Sequence, residues 1–277
     1  SGIAVSIDVG RDVLVGANSV VSAGSGGLLA TTGRDFTMND GAQLRADNSL
    51  LFVGATRSIS VAQLSSSLNG LAVQLTAGQS IVDAGDQDVD ILAPNGQLQF
   101  NAGSVGVADP LEVQVATLSG IVGSSGISIN EADDLLISML QSDGPVRLDV
   151  GGGLALNRLS SNDDIQLTVG GDVVSNSTSG SISALNGLLA MNVVGAVGEA
   201  VPIEIDAERL RLDAGGDVAI ESIQLNFVEQ LEAGGKLDWN TTSTHIVGTV
   251  RSGSGFVQIQ ADDLDIGSMG LIDTGVA

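Results

Sequence analysis

A stretch near the start of the chain recurs twice without a gap. Val5-Ser-Ile-Asp-Val-Gly-Arg-Asp-Val-Leu-Val15 aligns on Leu28-Leu-Ala-Thr-Thr-Gly-Arg-Asp-Phe-Thr-Met38 and then on Leu51-Phe-Val-Gly-Ala-Thr-Arg-Ser-Ile-Ser-Val61, offset by 23 residues each time. Each copy carries an arginine at the same place, Arg11, Arg34 and Arg57, in a chain with only 10 lysines and arginines in all. Recurrence at this length marks a repeat architecture, in which one short unit cannot bury its apolar side alone and must stack on its neighbours.

The same pattern returns along the chain, at 73–82, 98–105, 146–156, 165–174, 210–220, 231–239 and 257–266. Each copy is an alternating apolar stretch, a small corner residue, a polar residue and a second alternating stretch. Alternation puts Ile165, Leu167 and Val169 on one face and Gln166 and Thr168 on the other, so each stretch reads as a strand with one buried side. Stacked copies then pair in parallel, with the inward aliphatic residues forming ladders. The predicted fold is all-β, a right-handed parallel β-helix (β-solenoid) with about twelve rungs of roughly 19–25 residues. It is expected to run over 1–277 as a single solenoid. Because the chain opens Ser1-Gly2-Ile3 without an initiator Met, it is expected to be a segment of a longer repetitive protein.

Composition fits this plan and narrows it. Aromatic residues make up 2% of the chain, so the core must be Val, Ile, Leu and Ala. Trp239 stands alone and follows Leu237 in register, which predicts an inward position. The corner glycines, Gly10, Gly33, Gly78, Gly103, Gly170 and Gly215, are expected where a turn needs either a positive φ or a close approach of backbones. Two segments leave the short period, 103–118 and 195–210, and in each a proline (Pro110, Pro202) is expected to open a strand where no amide donor is needed.

Charge and residue usage exclude several function classes. A net charge of −23, with Lys236 the only lysine, repels a phosphate backbone and an anionic lipid surface, so neither nucleic acid nor membrane insertion is expected. No apolar run approaches the roughly 20 residues of a membrane-spanning helix. The absence of cysteine removes disulfides and zinc-thiolate sites.

Acidic clusters are the first places to look for chemistry: Asp83, Asp86, Asp88 and Asp90; Glu131, Asp133 and Asp134; Asp262, Asp263 and Asp265. Calcium takes oxygen ligands from such loops, and Asp86, Asp88 and Asp90 are its candidates here. Neither the Gly-Gly-x-Gly-x-Asp nonapeptide nor the twelve-residue calcium loop is present, so the clusters read first as solvated turn carboxylates. No catalytic residue and no cofactor are assigned. Paired carboxylates also suit a β-helical carbohydrate-active enzyme, a polysaccharide lyase or glycoside hydrolase, and this is the alternative function. Against it stands the shortage of aromatic platforms for sugar stacking. His245, within Thr-Ser-Thr-His-Ile, is expected in an exposed polar turn. Arg11, Arg34 and Arg57, with Asp12 and Asp35 beside them, are expected to form a stacked surface salt-bridge ladder.

The G-x-V-G-(x3)-P-Φ-x-Φ segments at 103–113 and 195–205, where Φ is aliphatic, and the A/V-G-G-D-V turns at 169–173 and 214–218, resemble the β-helical repeats of filamentous haemagglutinin-like adhesins and related giant surface proteins of Gram-negative bacteria. The likeness covers nearly the whole chain as a repeat style. It implies secretion to the cell surface or beyond, and a structural or adhesive rod within a surface adhesin or extracellular filament. Neither terminus shows a helix or charged segment that clearly caps the last rung, so open strand edges at Ser1 and Ala277 are expected to continue into further rungs or abut other copies; a host-surface or matrix glycan or protein is a further expected partner.

Overall fold

The computed structural model describes residues 4–85, 88–176 and 180–274. Among the described residues there is no helix, and the strands stack in parallel as a β-solenoid of about 13 turns. The chain divides into two compact units, residues 1–135 with 140–143, and 136–139 with 144–277.

In the first unit the recurrent sequence register is the structural register. Strand Val5–Val9 pairs in parallel with Leu28–Thr32, which pairs with Leu51–Ala55, matching Val5 to Leu28 and Leu28 to Leu51. Strands Gly70–Ala77 and Ile91–Ala102 continue the stack. Ala30, Val53, Leu75 and Phe100 fall on one ladder and are buried. Large and small residues interlock along it. Phe100 is matched to Gly120, and a Cβ on Gly120 would lie 2.1 Å from the Phe100 ring. Glycine is needed there to seat the ring.

The second unit repeats the scheme with a more uniform core. Leu148, Leu167, Met191, Leu212, Leu231 and Val250 succeed one another at one ladder position, and all are buried. Fully burying each such side chain is worth about 1.5–3 kcal/mol, so one ladder holds several turns together. Strand Ile165–Val169 keeps the expected faces, with Ile165, Leu167 and Val169 buried and Gln166 exposed. Strand lengths differ from expectation. Val218–Ala233 and Leu237–Ser252 each run for 16 residues. Their pairing continues across register shifts between Ser222 and Phe227 and between Val228 and Gln230, so no break divides the short alternating stretches seen in the sequence.

Two devices close the corners. The first is glycine chosen for space. A Cβ on Gly33 would lie 2.1 Å from the carbonyl oxygen of Gly10 in the turn before, and one on Gly215 would lie 2.2 Å from that of Val194. Of the two reasons expected for corner glycines, close backbone approach is the one that applies at both. Pro110 and Pro202 directly precede strands Leu111–Val122 and Ile203–Ala214, as predicted.

The second device is an aspartate that bridges successive turns. Asp172 Oδ1 accepts the Ala196 amide at 2.7 Å, and Asp217 Oδ1 accepts the Lys236 amide at 2.8 Å. Asp12 and Asp35 do the same for the amides of Asp35 and Ser58. These two also meet the arginine of the following turn, Arg34 to Asp12 at 3.5 Å and Arg57 to Asp35 at 3.6 Å, so the expected salt-bridge ladder is present between turns for Arg34 and Arg57, though not for Arg11. Such exposed pairs contribute about 1 kcal/mol or less each. The shared role of the aspartate in the two Gly-Gly-Asp turns is therefore to accept a backbone amide of the next turn. Asp217→Ala is expected to lose about 1 kcal/mol, read as a fall of roughly 2–4 °C in melting temperature, while Asp217→Asn, which keeps an acceptor oxygen, should lose less.

Candidate functional site

The acidic residues singled out in the sequence do not all share one setting. Asp83 ends strand Ser80–Asp83, and Asp90 immediately precedes strand Ile91–Ala102. In the next turn Glu112 stands above Asp90: the Asp90 amide donates to the Glu112 carbonyl at 2.8 Å, and the Glu112 amide donates to Asp90 Oδ2 at 3.0 Å. Glu112 is matched in turn to Asn130, whose amide donates to Glu112 Oε1 at 3.3 Å. One corner of the first unit thus carries three carboxyl groups on adjacent turns.

Most of the carboxyl oxygens in that corner are shielded from water. Asp90 is 0% exposed. Both carboxyl oxygens of Asp83, Oδ1 of Asp90 and Oε2 of Glu112 are sealed from solvent and meet no hydrogen-bond donor. Burial, and then the neighbouring Asp83 carboxylate, push the Asp90 carboxyl up to about 9, against the opposing pull of the Glu112 amide. Burial also raises Glu112, while the Asn130 amide opposes the rise.

Glu131 is a second buried acid, 3% exposed and matched to the core residue Val113 in the turn before. Its carboxylate accepts the Val115 amide at 3.0 Å and the Asp133 amide at 3.2 Å. Burial outweighs these bonds and moves it up to about 7. It therefore works as an internal brace for a corner. Asp133, its sequence neighbour, is exposed and takes the side-chain amide of Gln114.

Of the calcium candidates, Asp86 lies outside the described residues, Asp88 is exposed and Asp90 is buried against Asp83 and Glu112. Among the described residues no group of three or more His, Cys, Asp or Glu is placed to hold a metal ion. His245 departs from expectation, because it sits within strand Leu237–Ser252 and not in a turn. Its Nδ1 lies 2.7 Å from Asp265 Oδ2 in the next turn, and its ring meets the edge of Phe227 at a centroid distance of 5.9 Å. Asp262 and Asp263 are exposed on strand Val257–Ile266. Trp239 is fully buried, as predicted, and donates its indole N–H to Ser222 Oγ at 3.0 Å.

Two surface grooves carry polar linings. One, in the first unit, includes Arg45, Gln63, Ser65 and Asn95; the other, in the second unit, includes Gln166, Asn192, Arg211 and Asp213. Neither is lined by an aromatic residue or by Asp83, Asp90, Glu112 or Glu131. The acids with shifted protonation line neither of these two grooves. Sequence alternation marks Glu112 as outward, but nothing local in Leu111-Glu112-Val113 signals that Asp83 and Asp90 close over it.

Among the described residues no helix is long and apolar enough to cross a membrane. Comparison with protein-family models, with curated proteins and with solved structures gives no match. The fold and its corner chemistry define the chain as a β-solenoid repeat protein.

Proposed function

We propose that this chain is a structural and adhesive segment of a secreted bacterial surface adhesin or extracellular filament, and that it is not an enzyme. The observation that carries the reading is the division of labour among its side chains. Inward positions are mostly aliphatic ladders, and of the described carboxyls with raised proton affinity Asp90 and Glu131 are buried within corners while Glu112 is half-buried. General acid and base groups must stand within hydrogen-bond reach of a reacting atom. The two polar grooves offer hydrogen-bonding surface, each with one aspartate, Asp47 or Asp213, beside uncharged groups and an arginine, which suits contact with a glycan or protein on a host surface or matrix.

The strand edges at the ends of the stack support further rungs or other copies as partners. In the last described strands Leu264, Ile266 and Leu271 remain between 37% and 53% exposed, and an unpaired strand edge is a template for another strand.

Antibody against the purified chain, applied to intact cells of a producing bacterium, is expected to label the outer surface or released filaments. The purified chain should cleave no member of a panel of surface polysaccharides. Labelling confined to the cell interior would overturn the proposed location, and turnover of any polysaccharide would replace the structural role with the carbohydrate-active one.

A further inference from the structure

The groove of the first unit is shaped by a local irregularity of the stack. Arg45, Ser65 and Leu92 occupy one outward ladder position on three successive turns, so the short serine between two long side chains leaves a furrow. Beyond Leu92 the strand bulges: Ala93 is matched to Val115 and Gln97 to Thr117, so residues 94–96 stand against a single residue of the next turn. A bulge re-aims side chains and accepts a proline whose missing amide the ladder does not need. Here it sets Pro94 and Asn95 along the furrow, whose volume is about 500 Å³, within the roughly 300–1,000 Å³ of small-ligand sites.

The polar groups along this furrow are uncommitted. Among the described residues the side chains of Asp47, Gln63, Ser65 and Asn95 form no hydrogen bond or ion pair within the chain. Arg45 gives one N–H to Gln43 Oε1 and meets no carboxylate, whereas Arg211, in the groove of the second unit, is held by Glu229 at 2.5 Å. The matching bulge of the second unit, residues 185–187, ties Asn186 to the Asn162 carbonyl at 3.3 Å. Asn95 has no such tie, so the same bulge leaves its amide for a ligand.

We propose that this groove binds a neutral glycan, one hexose ring lying between Arg45 and Asn95. The inference deepens the adhesive reading above and rests on it for the display of the site. Arginine, glutamine and asparagine present planar forks of donors, and Asp47 two acceptor oxygens, a set that matches the adjacent hydroxyls of a pyranose, each both donor and acceptor. Leu92 and Pro94 give the ring C–H groups an apolar wall. A peptide strand fits less well, because the three turns beneath the groove are already paired on both sides and offer no free backbone edge. An acidic glycan would meet Asp47 and a chain of 33 acidic against 10 basic residues.

The intact chain applied to an array of immobilised neutral oligosaccharides, set beside sialylated, uronate-containing and sulfated ones, tests the proposal. Retention of neutral members is expected. Titration of a retained oligosaccharide into the labelled parent chain should shift amides of residues 45–47, 63–67 and 92–95 in a saturable way, a reading that needs no variant. Arg45→Ala should weaken binding about tenfold or more, while Arg34→Ala, outside the groove, should leave it unchanged. Retention of no glycan, retention of acidic glycans alone, or shifts that map elsewhere on the chain would overturn the proposal. Surface labelling of cells by antibody with no sugar bound would fail this site and leave the adhesin reading standing; a sugar bound in the groove of a chain confined to the cell interior would fail the location and leave the site.

Discussion

Gly198→Val is expected to destabilise the second unit by about 3 kcal/mol or more, through two effects that act together. Gly198 has φ of 70°, in the left-handed region that disfavours a β-branched residue by about 1–2 kcal/mol. A Cβ there would also lie 2.2 Å from the carbonyl oxygen of Ala219 and 3.0 Å from the Ile203 amide nitrogen. Both obstacles are backbone, so relief requires moving a neighbouring turn, at a further cost of about 1–3 kcal/mol. Gly106 repeats the arrangement in the first unit, with φ of 59° and a Cβ position 2.2 Å from the Ser128 carbonyl oxygen. Denaturant unfolding followed by far-ultraviolet circular dichroism checks the expectation. Gly215→Val, which meets only the spatial obstacle, should lose less, because valine already occupies the equivalent corner one turn earlier at Val194.

Trp239→Ala is the second large effect, a loss of about 3–5 kcal/mol. The indole is 0% exposed between Ile220 of the preceding turn and Ile259 of the following one. Truncation removes the largest buried side chain of that ladder, and the stacked backbones on either side, fixed by parallel pairing, limit how far the cavity can collapse. It also deprives Ser222 Oγ, in a residue only 4% exposed, of the indole donor. Trp239→Phe separates the two contributions. It retains most of the volume and loses the hydrogen bond, so it should cost about 1 kcal/mol plus a smaller packing loss. Circular dichroism is again the measurement, since the sole tryptophan is the residue replaced.

The two substitutions show which parts of the fold were written in local sequence. Ladder register was legible because side-chain alternation and the 23-residue offset determine which residues stack, and Val5, Leu28 and Leu51 do so. The inward place of Trp239 followed from the same alternation. The need for glycine at corners was legible too, but not its reason. At Gly33 and Gly215 it is the nearness of the previous turn, whereas at Gly106 and Gly198 a positive φ is added. A single turn's sequence does not contain the carbonyl of the turn beneath it.

The candidate site was less legible for the same reason. Asp83 and Asp90 read as polar punctuation of a turn, and Glu112 as the outward residue of an alternating strand. Only stacking brings the three together and buries Asp90 among them. Glu131 sits at an inward position although it is charged, because the Val115 and Asp133 amides need an acceptor there. His245 was misplaced because Thr and Ser around it resemble loop composition, while parallel pairing on both sides extends the strand through them. The calcium reading rested on spacing alone, and of its three residues only Asp88 and Asp90 lie among the described ones.

Everything above rests on parallel turns stacked in one register, and distances between introduced spin labels test that directly. The chain has no cysteine, so paired cysteines at Ser6, Leu29, Gln74 and Gln99 can be labelled without interference. These residues follow one another on a single ladder that also passes through Phe52. Pulsed electron paramagnetic resonance should place labels at 6 and 74 about 14 Å apart and labels at 6 and 99 about 19 Å apart, a further turn adding about 4.8 Å. Narrow distributions that grow by this step are the expected result. Distances that ignore the ladder order, or that do not lengthen between 6–74 and 6–99, would contradict the stacked solenoid and the function proposed for it.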